Sequence, residues 1–359
     1  MRIGIVGITP ERSWAALSHV PALQNLRGFE IAGVANRSER SSREAGAALG
    51  LHAYSSVYAM ISDPQVDLIT VTVKVPHHRE IVDAALDAGK MVYCEWPLGN
   101  GLGDAMAMAS KARARGIRTV VGMQARVSPV IRYVRDLVRE GYVGQVLSTT
   151  LIGSGISWGP QISAVHEYLH DCSNGATLLS IPLGHTLDAL CFCLGEFTEV
   201  LASMTIRREN YTIIETGEQR PMRGPDQVVF SGRLGDGVVA AVHYRGGTSR
   251  GTNLLWEVNG TEGDLRITSV AGHAQMFDLF LEGGRKEETS LQKLQPPESY
   301  RSVPSAIKGF AVNVGELYAR FAMGAQHPDP APDFDAAVQR HRLLGAIEQS
   351  AQSGGRCRV

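Results

Sequence analysis

Between residues 2 and 123, five short apolar runs alternate with helix-like stretches, and that alternation limits the fold more than any other feature of the chain. Residues 2–6 (RIGIV), 30–35 (EIAGVA), 67–73 (DLITVTV), 91–94 and 118–122 read as strands. Residues 13–27, 38–49, 78–88 and 101–115 read as the helices between them, with Gly89 as a C-cap. The runs are apolar throughout rather than alternating, as strands buried on both faces are, and a β-α-β order of such strands builds a parallel sheet. The pattern predicts a doubly wound α/β domain over residues 1–123.

The second half changes character. A helix over 128–140 closes on Gly141, and strand patterns follow at 146–152, 197–206, 227–234, 238–244, 254–259, 264–270 and 275–281. Gly-rich turns such as Gly235-Asp236-Gly237 and Gly260-Thr261-Glu262-Gly263 link neighbouring runs as hairpins. Residues 174–195, 306–324 and 334–350 read as helices, and 207–226 and 283–304 as polar loops. The expectation is an α+β domain over 124–359 with a mainly antiparallel open sheet, its last helices packing back on the first domain.

A chain of 359 residues fits two domains. Lys and Arg number 35 against 36 Asp and Glu, which excludes nucleic-acid binding by bulk charge. No stretch reaches the ~18 apolar residues of a membrane span, and the N-terminus lacks the pattern of a signal peptide. The cysteines number five, an odd count without metal-site spacing, which points to a reducing, cytoplasmic compartment.

The first strand ends in VGITPERSW. Gly7 supplies the tight turn and close backbone approach that a Rossmann-like phosphate loop needs. Thr9 and Arg12 stand where the second and third glycines of G-x-G-x-x-G would be, so an ordinary β-α turn stays open as the alternative. The second strand ends in Asn36-Arg37-Ser38, with no acid for the ribose hydroxyls. Arg37 suits a 2′-phosphate, which favours NADP(H) with NAD(H) still possible. A solvated turn arginine is the alternative, and Glu39 argues weakly for NAD.

TVKVPHHREIVDAALDAGKMVYCEWPLG (72–99) and VVGMQARVSP (120–129) resemble the Gfo/Idh/MocA oxidoreductases, in the branch resembling the yeast galactose-regulon repressor. That branch shares G-x-T-x-x-x-S-W (Gly7, Thr9, Ser13, Trp14), K-V-P-x-H (Lys74, Val75, His78), the E-W turn (Glu95, Trp96) and Q-x-R-x-S-P (Arg126). It also shares G-H-T-x-D at 184–188 and N-G-T-x-G-D-L at 259–265. The resemblance implies a cofactor site built from Gly7, Thr9, Ser13, Trp14, Asn36, Arg37, Ser38, Val73, Lys74, Val75, His78, Glu95, Trp96 and Arg126. In it Glu95 touches the ribose and Trp96 forms a wall at the nicotinamide, with core packing the alternative. A cis bond at Trp96-Pro97 is also implied.

The family's catalytic lysine and aspartate fall on Trp96 and Ile181, so only His185 survives of that set. The chemistry has been lost or its acid/base group has moved. Lys74 is the candidate for a moved group, since it ends an apolar strand at the edge where such folds bind ligands. A structural lysine paired with Glu95 or a phosphate is the alternative. Tyr168 is a further proton donor, from a segment holding His166, His170 and Asp171 in which a metal is disfavoured. The reading is an NAD(P)-dependent oxidoreductase acting on a sugar, cyclitol or similar small hydroxyl or carbonyl compound, with catalysis by Lys74, His185 and Tyr168. The alternative is a non-catalytic NAD(P)-binding regulator, and a redox-neutral reaction stays open. The expected partners are a small-molecule substrate and further copies of the chain, as a homodimer or homotetramer through the C-terminal sheet. Neither direct nucleic-acid binding nor a membrane is expected.

Overall fold

The computed structural model describes residues 1–359, residue 325 through its backbone alone. Contacts divide the chain into two units, Met1–Gln124 with Arg301–Gln339, and Ala125–Tyr300 with Arg340–Val359.

In the first unit β1 (Arg2–Val6), β2 (Glu30–Ala35), β3 (Leu68–Val71), β4 (Met91–Glu95) and β5 (Thr119–Gly122) form one sheet in the order β2-β1-β3-β4-β5. Every neighbouring pair is parallel. Ile3, Ile5, Leu68, Ile69, Val71, Val92 and Val120 are fully buried, which is why these runs carry no polar alternation. A π-helical turn at Ala15–His19 leads into α1 (Val20–Asn25), a shorter helix than residues 13–27 suggest. The other connections are α2 (Glu39–Leu49), α3 (Val57–Ser62), α4 (His78–Asp87) and α5 (Leu102–Ala114). Ser38 caps α2 in a capping box with Ser41, and Gly50 ends it at φ 66°. The strand order reverses between β1 and β3, so this sheet has its switch point there.

The second unit opens with α6 (Pro129–Arg139) and β6 (Val146–Gly155). Two-residue β7 (Gln161–Ile162) follows, then α7 (Gly184–Leu194). The strands β8 (Phe197–Thr205), β9 (Asn210–Ile213), β10 (Gln219–Pro221), β11 (Gln227–Leu234), β12 (Val239–Gly246), β13 (Leu254–Gly260), β14 (Gly263–Ser269), β15 (Phe280–Arg285) and β16 (Gln292–Leu294) come next, and β17 (Cys357–Arg358) ends the chain. The large sheet runs β16-β15-β14-β13-β6-β12-β11-β8-β17. It is mainly antiparallel, with β6 and β12 parallel.

Besides the helix over 13–27, five expectations need correction. Residues 283–304, read as loop, hold the end of β15 and all of β16. Residues 207–226 are not only loop, because β9 and β10 join β7 in a small sheet. Tyr211 and Ile213 are buried there, but strands this short carry too little alternation to be read. Residues 275–279 are not strand, since Met276 N–H bonds back to the His273 carbonyl and the chain turns. The apolar stretch 174–195 is not one helix. It begins as a π-helical turn at Leu179–Leu183, where Pro182 lacks an N–H, and only then becomes α7. Residues 306–310 are not helical either, and the next helix, α8 (Ala311–Met323), begins at Ala311.

The segment 301–339 joins the first unit for visible reasons. Tyr318 on α8 brings its hydroxyl to 2.8 Å from His19 Nδ1 and 2.9 Å from Thr70 Oγ1. Glu316, fully buried, accepts from the Ser302 N–H at 2.7 Å and pairs with Arg320.

Candidate functional site

The switch point gathers the first group of residues. Val6 pairs with Val71, so the chain leaving β1 at Gly7 runs beside the chain leaving β3 at Thr72 and Val73. The Thr72 hydroxyl bonds the carbonyls of Val6 and Gly7 at 2.9 and 3.0 Å. Gly7 sits at φ 95°, and a Cβ there would come 2.6 Å from Val73 Cγ1. Only glycine fits, for its backbone freedom and for the space. The space beside Gly7 is taken by the chain leaving β3, so the glycine lets the two strand ends pack together, and its positive φ gives the tight turn that a dinucleotide loop needs.

The loop beyond is held from inside. Ser13 Oγ accepts from Thr9 N–H at 3.0 Å and from Ala16 N–H at 3.3 Å. Asn36 accepts from Ile8 N–H at 2.8 Å and donates to the carbonyls of Ile8 and Ser41 at 2.8 and 3.0 Å. Asn36 and Ser13 therefore set the loop's shape, while Ser38 caps α2. Trp14 packs on Phe310 with ring centres 5.9 Å apart. Thr9, Arg37 and Lys74 are exposed, and Val75 is buried.

Two expected cofactor contacts have other partners. His78 is fully buried, with Nδ1 3.0 Å from the Pro97 carbonyl and Nε2 2.9 Å from the Val73 carbonyl. Burial drives its pKa down against the pull of those carbonyls. It is not placed to touch a ligand; it ties the end of β3 to the turn after β4. Glu95 is gripped by His19 Nε2 at 2.9 Å and Gln124 Nε2 at 2.7 Å. The chain Gln124–Glu95–His19–Tyr318–Thr70 is a buried polar relay. Gln124 heads the Q-x-R-x-S-P motif, whereas His19 lies in the helix-like stretch 13–27 and nothing in the sequence marked it. Trp96 is 5% exposed, so core packing describes it better than an open wall, and the Trp96-Pro97 bond is cis.

The second unit holds its own polar cluster. Arg126 Nε bonds Asp188 Oδ2 at 2.7 Å, its second nitrogen pairs with Oδ1, and its guanidinium lies over Phe192. The guanidinium is thus engaged by a carboxylate rather than turned to a cofactor. Burial opposes the Asp188 charge, but Arg126 and Arg340 outweigh it and hold the carboxyl below its usual pKa. His185 is buried one turn before Asp188 and acts electrostatically on it and on His273. Burial raises the pKa of Tyr168. His166 is exposed beside Ser163, and His170 stacks on Tyr211 at 4.1 Å. Among the described residues no three His, Cys, Asp or Glu side chains converge as metal ligands. His273, unmarked in the sequence, stacks on Trp158.

The family model described as oxidoreductase family, NAD-binding Rossmann fold, matches residues 1–123. The model for the Gal80p C-terminal domain matches 129–269. The chain belongs to the Gfo/Idh/MocA oxidoreductases, in the branch resembling the yeast galactose-regulon repressor. A dehydrogenase, aclE, of Aspergillus oryzae is 29% identical over 99% of this chain and 97% of its own length. The galactose/lactose metabolism regulatory protein GAL80 of Kluyveromyces lactis is 31% identical over 78% of this chain and 66% of its own. The D-apiose dehydrogenase of Paraburkholderia graminis is 26% identical over 83% and 75%. Among solved structures, a super-repressor mutant of Gal80p from Saccharomyces cerevisiae superposes with a TM-score of 0.90 at 25% identity, covering 100% of this chain and 98% of that one.

Proposed function

We propose that this chain is an NAD(P)-dependent oxidoreductase moving hydride between a nicotinamide cofactor and a sugar, cyclitol or similar small hydroxyl or carbonyl compound. The observation that carries the reading is the switch point between β1 and β3, where Gly7 turns the chain at a positive φ against the end of β3 and Lys74 follows exposed. The relatives named as dehydrogenases support it, D-apiose dehydrogenase supplying the sugar. A bound nicotinamide supplies the hydride donor or acceptor. Gly7, Thr9, Trp14, Val73 and Val75 line its approach, on a loop shaped by Ser13 and Asn36, with Ser38 at the start of α2 beside it. Arg37 meets the 2′-phosphate of NADP(H), in preference to NAD(H). Glu95 and Trp96 fix the turn after β4.

Hydride transfer at a hydroxyl carbon moves a proton as well, and an indole at position 96 cannot carry it. Lys74 gives or takes that proton, His185 orients the substrate oxygen, and Tyr168 is a further donor. The cytoplasm is the compartment that goes with this reading.

A second reading, an NAD(P)-binding regulator without catalysis, is favoured by Trp96 and Ile181 at the family's lysine and aspartate positions and by the Gal80p match. One comparison separates the parts. Calorimetric titration is expected to show tighter NADPH than NADH binding in the wild type, with the preference lost in Arg37→Ala. Lys74→Met is expected to keep cofactor binding and lose ~10²–10⁴-fold in turnover. Equal affinities unchanged by Arg37→Ala contradict the NADP(H) preference, and full turnover in Lys74→Met contradicts the lysine's role.

A further inference from the structure

Two neighbouring rings in the second unit each bury a hydrogen-bond donor with no acceptor. Trp158 and His273 are 5% exposed each and stack with centres 6.1 Å apart, 28° from parallel. Trp158 Nε1 and His273 Nδ1 are both buried and make no hydrogen bond. The tautomer of His273 follows from its other nitrogen. The Ile156 backbone N–H points at Nε2 from 3.2 Å, and a backbone N–H can only donate, so Nε2 carries the lone pair and Nδ1 the proton. Two buried N–H groups side by side leave free energy unclaimed unless an acceptor joins them.

The loop that carries His273 is built to hold it there. Gly272 lies so close to β6 that a Cβ would overlap the Ser154 carbonyl, and its own carbonyl takes the Tyr244 hydroxyl at 3.1 Å. That hydroxyl also meets Thr186 at 2.8 Å, next to His185 on α7. The Tyr244 ring in turn occupies the space left by Gly153 on β6. The pair is thus fixed by β6, β12 and α7 together.

We infer that the Trp158–His273 stack is a binding subsite for an uncharged polyhydroxy or carbonyl ligand, whose oxygens accept from Trp158 Nε1 and His273 Nδ1. The inference rests on the sugar-directed reading above and narrows it to neutral sugars at this subsite. Charge decides the class. Burial, and then nearby His185, push His273 down to about 3, so the ring stays neutral and offers no cation to an acidic or phosphorylated group. Neither donor is ionic, and a carboxylate brought here would be desolvated with only neutral partners.

The test uses the full chain loaded with NADPH, or with NADP⁺ for myo-inositol, and labelled with ¹⁵N in its Trp and His side chains. D-glucose, D-xylose and myo-inositol are the neutral probes and D-glucuronate the charged one. Neutral probes are expected to move the Trp158 indole N–H and the His273 Nδ1–H resonances, and D-glucuronate to move neither. Affinity is expected to fall roughly ten- to hundredfold in Trp158→Phe and in His273→Gln, which keeps an acceptor for Ile156 but no donor at the Nδ1 position. His273→Asn, which restores a donor near that position, is expected to recover most of the loss. Resonances that stay fixed with every neutral probe overturn the subsite, as does unchanged affinity in His273→Gln or equal binding of D-glucuronate. Moved resonances with no change in the nicotinamide, in NADPH with the aldoses and in NADP⁺ with myo-inositol, support the subsite and refute hydride transfer with these sugars. Hydride transfer with both resonances fixed does the reverse.

Discussion

Three buried histidines of this chain, His78, His170 and His273, are held toward the neutral form by burial, and each ties stability to pH. His78, His170 and His273 are 0, 3 and 5% exposed, and burial lowers the pKa of all three. For His273 the folded value is about 3 against an ordinary 6.5. Below pH 6.5 the unfolded chain takes up a proton that the folded chain refuses. The stability this ring contributes is therefore complete above pH 6.5 and is lost progressively as pH falls toward 3. From pH 7.5 to 5 the loss from His273 alone is about 2 kcal/mol. His273→Gln, which does not titrate, is expected to reduce the pH dependence of the denaturant midpoint by that order, and identical profiles for the two proteins contradict the neutral ring. His273 illustrates what a sequence hides. Its importance comes from an N–H of Ile156 more than a hundred positions away, whereas Lys74 and Arg37 show themselves by standing as charges at the ends of apolar strands.

At the scale of elements, the five strands of the first unit were readable because each is buried on both faces and therefore apolar throughout. The small sheet of β7, β9 and β10 was not, since its strands have two to four residues and pair across remote sequence. In the large sheet the alternation is legible and leaves open one face that mixes apolar with small polar residues. Leu201, Ser231, Ala241 and Thr150 form one cross-strand row, and Ser203, Val229, His243 and Ile152 the next. Leu201 and Val229 are 42 and 45% exposed. A second copy of this chain is the occupant proposed for that face, giving a homodimer or a homotetramer. Light scattering is expected to show an oligomer for the wild type and a monomer for Leu201→Glu with Val229→Lys, at little cost in thermal stability since both positions are exposed. A monomeric wild type at micromolar concentration contradicts the pairing.

For the molecule as a whole, ancestry and present activity are separate questions. The first unit keeps the architecture of the NAD-binding Rossmann fold of the oxidoreductase family, and residues 129–269 match the model for the Gal80p C-terminal domain. The sequence showed both, through motifs at strand ends and turns and one on α7. It also showed the departures at Trp96 and Ile181. What it could not show is the partners of three motif residues: Glu95 held by His19 and Gln124, Arg126 by Asp188, and His78 by carbonyls. Those partners come together only through folding. The central claim is that the retained architecture still moves hydride. Purified chain is mixed anaerobically with NADPH and, one at a time, aldoses, keto-sugars and oxidised inositols, and the reduced-nicotinamide absorbance is followed. The account predicts a protein-dependent loss of that absorbance with at least one neutral carbonyl sugar or inosose, abolished or slowed ~10²–10⁴-fold by Lys74→Met. Tight NADPH binding with no absorbance loss across the whole panel contradicts it, and leaves the cofactor-binding regulator as the reading that stands.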